Sequence, residues 1–156
     1  MMRKFGAYSL FTLCLTSGLS YAETTPLAVV TQYMQAWNQH DSHKAGTYFA
    51  DKVSYYDASV GEPVVGKQQA TQQVVKTFVD AVPDLRWVMT SKPVYNGDTI
   101  AFQWRFTGTN DGAWAGTPAT HKKISFDGVS FIKVSQGKIT YQGDYYDSKK
   151  LSDQLK

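Results

Sequence analysis

The apolar positions of this chain recur with a helical period as far as Pro83 and with a strand period beyond it. Leu27, Val30, Met34 and Trp37 fall on one stripe, which predicts a helix over 26–38. Asp41 or Ser42 can cap a short second helix that ends near Phe49. Residues 53–57 read as a short strand, and the following GEPVVG as turn material. Ala70, Val74, Phe78 and Ala81 give a third helix over 67–82 its buried face, and Pro83 ends it. Leu85, Trp87 and Met89 then alternate with polar residues, and Ile100, Phe102, Trp104 and Phe106 alternate again after the hairpin turn Asn96-Gly97-Asp98. Residues 108–120, rich in Gly, Thr, Asn and Pro, form a long connection. Segments 124–134 and 138–146 make a second hairpin around Gln136-Gly137, and Leu151 and Leu155 mark a short terminal helix. Three helices followed by antiparallel strands predict an α+β fold, with helices packed on one face of a curved, mostly antiparallel sheet. Such a sheet leaves a concave end suited to an apolar ligand.

Composition changes this picture mainly at the N-terminus. Arg3 and Lys4 precede an uncharged run from Phe5 to Leu19, and Ser20-Tyr21-Ala22 offers small residues where a signal peptidase reads. Residues 1–22 are therefore expected to be a secretory signal, too short in its apolar run for a membrane span, with 23–156 as a single domain. The chain is expected to be exported, to a bacterial periplasm or outside the cell, with no stable membrane anchor after cleavage. The absence of an Asn-x-Ser/Thr site fits that route. Cys14, the one cysteine, lies inside the signal, so the remainder has no thiol for a disulfide, a metal or nucleophilic catalysis. Losing Arg3 and Lys4 leaves 14 basic against 13 acidic side chains, so the overall +3 overstates the charge of the mature chain. No nucleic-acid partner is implied.

Among candidate chemical groups, Asp144 stands out. Alternation places Thr140, Gln142, Asp144 and Tyr146 on one strand face, polar for a core and suited to a cavity with convergent polar groups. Apolar surroundings disfavour a charged carboxylate and raise its pKa towards working pH, which equips it to transfer protons. The plainer alternative is a solvated strand residue. His40 and His43 flank Asp41 at a helix start, and their position reads as an exposed cap rather than a metal site. His121 reads as solvated. Ser130 follows Gly128-Val129 without the setting of a nucleophile elbow. Trp114, in the Gly-rich connection, is the candidate for a lid or dimer contact. No phosphate-cradling glycine loop is present, so no cofactor is expected.

Four segments in order, YMQAWNQHD with YFAD, PDLRW, NGDTIAFQWRFTGTNDGAWAGTPAT and GKITYQGDYYD, resemble the SnoaL-like polyketide and ester cyclases of the nuclear transport factor 2-like superfamily. The resemblance spans the whole chain after the signal and implies that superfamily's cone-shaped fold. In those cyclases an aspartate a few residues after GKI is the general acid/base, and Asp144 matches it. Gly143 stands where the family pattern has Trp, and Tyr141-Gln142 where a Glu-His pair is common. Residues 33–57 also resemble the ketosteroid isomerases, whose oxyanion-hole tyrosine matches Tyr33 and whose proton-shuttling aspartate matches Asp57. Their second oxyanion donor falls on Phe126, with Asp127 one place off, and a one-residue shift in a strand sends a side chain to the other face. The resemblance thus implies cofactor-independent acid/base catalysis of cyclase or isomerase type on a small hydrophobic carbonyl compound. Asp144, Asp57 and Tyr33 would be catalytic, with Tyr146 an alternative donor, and Trp37, Tyr56, Trp104, Phe126, Gln142 and Tyr146 would line the ligand. The alternatives are a non-catalytic binding protein for a hydrophobic small molecule and a homodimeric interaction module.

Overall fold

A computed structural model describes residues 25–114 and 116–156. The expected export signal lies outside the described residues. Helix α1 spans Pro26–Asn38: Thr25 accepts a hydrogen bond from the Ala28 amide at 3.3 Å, and Pro26 occupies the first turn, where no amide is needed. Its buried face is Val29, Val30, Tyr33, Met34, Ala36 and Trp37. Asp41 caps α2 (Ser42–Gly46) through the Lys44 amide at 2.8 Å. His40 is less a free cap than expected, since it turns back at φ 59° and sets its Nε2 3.1 Å from the Leu85 carbonyl.

Strand β1 runs from Phe49 to Asp57, four residues earlier than the pattern predicts, and the GEPVVG segment contains a two-residue strand, β2 (Val64–Val65), paired to it. The third helix is continuous but not uniform. It passes from α3 (Lys67–Gln69) through a π-helical turn (Ala70–Val75) into α4 (Lys76–Ala81). Then follow β3 (Arg86–Met89), β4 (Val94–Asn96), β5 (Thr99–Thr109), β6 (Lys123–Ser135), β7 (Lys138–Tyr146) and α5 (Ser148–Gln154). Both hairpin turns carry a glycine at positive φ, Gly97 at 60° and Gly137 at 71°, where a side chain would be strained.

The seven strands form one sheet in the order β2-β1-β7-β6-β5-β3, with β4 also on β5. Among the described strands only β1 and β7 pair in parallel; the other pairings are antiparallel. The Asn38 side chain fixes the helical layer to this sheet. Its amide donates to the Trp87 carbonyl at 2.8 Å and its carbonyl accepts from the Trp87 amide at 2.7 Å, and the Trp37 and Trp87 rings meet tilted at 58° with centres 5.3 Å apart.

Two expectations are corrected here. Thr140 does not share a face with Gln142, Asp144 and Tyr146. The pairing of β6 with β7 slips between Lys133 and Val134, so the inward phase of β7 passes from Ile139 to Gln142. A bulge adds one residue and resets the alternation. Trp114 is neither lid nor dimer contact in this chain: it is 6% exposed and packs edge-on against Phe78, ring centres 4.8 Å apart. Its loop is held down by Asn110, whose amide donates to the Ala81 and Gly112 carbonyls and whose carbonyl oxygen accepts from the Thr120 amide and hydroxyl.

Candidate functional site

Strand register brings the candidate groups together. Asp57 of β1 lies beside Asp144 of β7, Asp144 beside Ser130 of β6, and Tyr55 beside Gln142. In the next row Tyr146 faces Gly128, which faces Trp104 of β5. A Cβ at Gly128 would collide with the Trp104 ring, so glycine there is what lets the indole lie across the strand. From that position Trp104 Nε1 donates to Ser130 Oγ at 2.8 Å.

Asp144 sits at the centre, 5% exposed. Its Oδ1 accepts from the Ser130 hydroxyl at 2.5 Å, and its Oδ2 accepts from the Tyr55 hydroxyl at 2.6 Å and the Gln142 amide at 2.9 Å. Gln142 also donates to the Tyr55 hydroxyl at 3.0 Å. Burial, and then the nearby charge of Asp57, push the Asp144 carboxyl up to about 7, while the hydrogen bonds from Ser130, Tyr55 and Gln142 hold it back from rising further. The group therefore changes protonation in the neutral range.

Asp57 is also buried, and burial raises its pKa against bonds from Ser59 and Tyr146. All its side-chain bonds fall on Oδ1: the Ser59 amide and Tyr146 hydroxyl at 2.8 Å each, and the Ser59 hydroxyl at 2.5 Å. Asp57 thus holds the turn after β1 through Ser59 and also faces the cavity. Tyr146 is engaged as a donor to Asp57.

The two carboxylates look into a hollow lined by Trp37, Phe78, Trp87, Trp104, Phe106 and Phe126, with Tyr55 and Tyr146 beside them. About 280 Å³ of space not filled by atoms lies between these side chains, part of it open solvent. Among the described residues three buried side-chain polar atoms have no partner: the Tyr33 hydroxyl, Trp37 Nε1 and Gln142 Oε1. The Tyr33 hydroxyl lies near the polar ends of Trp37, Tyr55 and Gln142 without a well-formed bond to any, and burial together with the Asp144 charge keeps its proton firmly bound.

Of the residues expected from sequence, Asp144, Asp57, Trp37, Trp104, Phe126 and Tyr146 line the hollow. Gln142 and Tyr33 lie in the layer behind them. Tyr56 does not belong to it. On the strand that places Tyr55 and Asp57 inward, Tyr56 faces the other way and stacks on Tyr145 with ring centres 5.2 Å apart. Asp127 likewise points outward, to Arg105 at 2.8 Å. Sequence reasoning missed Tyr55 and set Ser130 aside. The signal for Tyr55 was the inward series Val53-Tyr55-Asp57; for Ser130 it was being the one hydroxyl in the apolar series from Ile124 to Val134. His121 pairs with Asp111 at the surface, and among the described residues no group of three His, Cys, Asp or Glu gathers into a metal site.

Residues 27–155 match the SnoaL-like polyketide cyclase family, and the chain belongs to it. A solved protein from Jannaschia sp. CCS1, assigned to the SnoaL-like polyketide cyclases, superposes with a TM-score of 0.73 at 17% identity, over 87% of this chain and 94% of its own. A Catenulispora acidiphila protein with a ketosteroid isomerase-like fold, in complex with trimethylamine, gives 0.70 at 22% identity, over 85% and 94%. TsrD from Streptomyces laurentii gives 0.67 at 21%, over 82% and 95%. At these identities the likeness establishes the nuclear transport factor 2-like fold. No curated protein matches the sequence.

Proposed function

We propose that this is an exported, cofactor-independent acid/base protein of cyclase or isomerase type, acting on a small hydrophobic carbonyl compound. The observation that carries the reading is Asp144: a buried carboxylate on an aromatic hollow, pinned by three donors, with a proton affinity near neutrality. Matching pKa to working pH is what a proton carrier requires. In the proposed step Asp144 takes the proton from carbon next to the carbonyl. The C–H pair becomes the enolate double bond and the carbonyl oxygen takes the charge. The unpartnered Trp37 Nε1 is a donor available to that oxygen, with the Tyr33 hydroxyl behind it. Asp144 then returns the proton at the new position, which balances the step without a cofactor. The export part of the reading rests on Arg3, Lys4 and the uncharged run after them.

The enclosed space is small, which favours a compact ligand over a polycyclic one. The trimethylamine carried by the Catenulispora protein is a ligand of that smaller scale. The test is deuterium exchange of small enolisable ketones and esters, followed by NMR with the wild-type chain and Asp144→Asn. We expect the variant to lose exchange by about 100-fold or more. Equal exchange in the two proteins removes Asp144 from the chemistry and leaves the hollow as a binding site only.

A further inference from the structure

The two oxygens of Asp144 are not served equally. A carboxylate offers about four acceptor positions, shared between its oxygens. Oδ2 takes two donors, the Tyr55 hydroxyl at 2.6 Å and the Gln142 amide at 2.9 Å, whereas Oδ1 takes the Ser130 hydroxyl alone. Among the described residues, then, the open position is on Oδ1. The Ser130 hydroxyl is itself constrained. An indole nitrogen only donates, so Trp104 Nε1, 2.8 Å away, must find a lone pair on Ser130 Oγ. That leaves the Ser130 proton to lie towards Oδ1. The arrangement depends on a gap in the sheet. In the strand register Ser130 stands beside Phe102, not Trp104, and the indole reaches it across Gly128, where a side chain would collide with the ring. Ser130 and Trp104 are both buried, so bulk water does not compete for either group.

We propose that Oδ1 of Asp144 is the oxygen that takes and returns the proton, and that Ser130, aimed by Trp104, is the positioning residue that sets its basicity. This rests on Asp144 being the proton carrier, as the reading of function requires. In the step, an O–H bond forms on Oδ1 as the C–H bond of the ligand breaks and its electron pair passes into the enolate. Return of the proton breaks that O–H bond and restores the carboxylate. Ser130 bonds strongly to Oδ1 while the oxygen is charged and weakly once it is protonated, because the hydroxyl oxygen of a carboxylic acid accepts poorly. The bond therefore favours the ionised, basic form at rest, and the indole strengthens it by polarising the hydroxyl. The titratable groups facing Asp144 are Asp57 and Tyr55 of β1, Tyr146 of β7 and Tyr33 of α1. From β5, β6 and α4 come Trp104, Ser130 and Phe78, none of which titrates. Asp57 is the one other carboxyl among these groups.

The experiment follows the carboxyl carbon of Asp144 by NMR against pH in the full chain, with the signal assigned by its loss in Asp144→Asn. The titration is repeated in Asp57→Asn so that the neighbouring carboxyl does not share it. Ser130→Ala should move the midpoint up by about one pH unit, a tenfold rise in proton affinity. Tyr55→Phe, which strips a donor from Oδ2, should move it less, because the carbonyl oxygen of a protonated carboxyl still accepts. Trp104→Phe keeps an aromatic ring, removes the N–H and should also give a smaller upward shift. The double variant Trp104→Phe/Ser130→Ala should titrate as Ser130→Ala does, since the indole acts through the hydroxyl. The acid limb of ketone exchange should move with these midpoints. An unmoved midpoint in Ser130→Ala overturns the inference, as does a larger shift in Tyr55→Phe or a Trp104→Phe shift that persists without Ser130. Where Ser130→Ala does not fold, an unmoved midpoint in Trp104→Phe overturns it. Unshifted titrations with Asp144-dependent exchange intact overturn the inference alone. Shifted titrations with no exchange in the wild type overturn the reading of function and leave the control of the carboxyl by Ser130 standing.

Discussion

Asp144 and Asp127 are aspartates on paired neighbouring strands of one sheet, and they meet opposite fates. Asp144 faces the helices, shares the hollow with Asp57 and is pushed up to about 7 by burial. Asp127 faces water, where the guanidinium of Arg105 holds its carboxyl below the usual range. The residue type is the same; the sheet face decides the sign. On the inner face the charged form has lost its water and is served by neutral donors, whereas on the outer face water remains and a cation is at hand. The lesson for this protein is that the inner face gives up stability to hold an acid ready, while the outer face is electrostatically quiet.

The sharpest way to break that contrast is pH. The native Asp144 carboxyl binds its proton more tightly than the unfolded chain does. Its contribution is therefore complete below about pH 4 and is lost as pH rises towards about 7, on the order of 4 kcal/mol in all. The raised Asp57 carboxyl acts with the same sign. The titrating groups facing Asp144 are Tyr33, Tyr55, Asp57 and Tyr146, and the tyrosines are all held protonated well above this range. Denaturant melts of Asp144→Asn should show a flatter profile and a more stable protein than wild type at pH 8. A wild type that gains stability steadily from pH 4 to 7 would contradict this.

Next in size is Gly128→Ala. Its methyl group enters the space of the Trp104 ring, and overpacking of this kind costs about 1–3 kcal/mol. The loss should appear in the urea midpoint, with a shift in tryptophan fluorescence as the indole leaves Ser130. An unchanged midpoint would mean that the ring is looser than the packing implies. The smallest effect belongs to the outer face: Arg105→Ala should leave the melting temperature within error of wild type, because an exposed pair contributes little. A drop comparable to that of Gly128→Ala would erase the difference between the faces.

Much of the scaffold was legible along the chain. The boundaries of α1 at Pro26 and Asn38 follow from the stripe, the proline and the cap, all of which are local. The turns at Gly97 and Gly137 are equally local, since few residues other than glycine adopt positive φ. The start of β1 at Phe49 was hidden because its first residues, Ala50, Asp51 and Lys52, are partly or fully exposed and break the alternation. The π-helical turn inside the third helix leaves no mark in the apolar spacing.

The site divides along the same line. That Asp144 and Asp57 belong to strands with apolar neighbours is written in the alternation of β1 and β7, a property of consecutive residues. That they stand side by side comes from the parallel pairing of two strands separated by most of the chain. The slip that turns Thr140 away, the reach of Ser130 and Tyr55 to one carboxylate, and the gathering of six aromatic rings are also long-range events. Periodicity reports which face of its own element a residue occupies, whereas packing alone sets which faces meet and which acids lose their water.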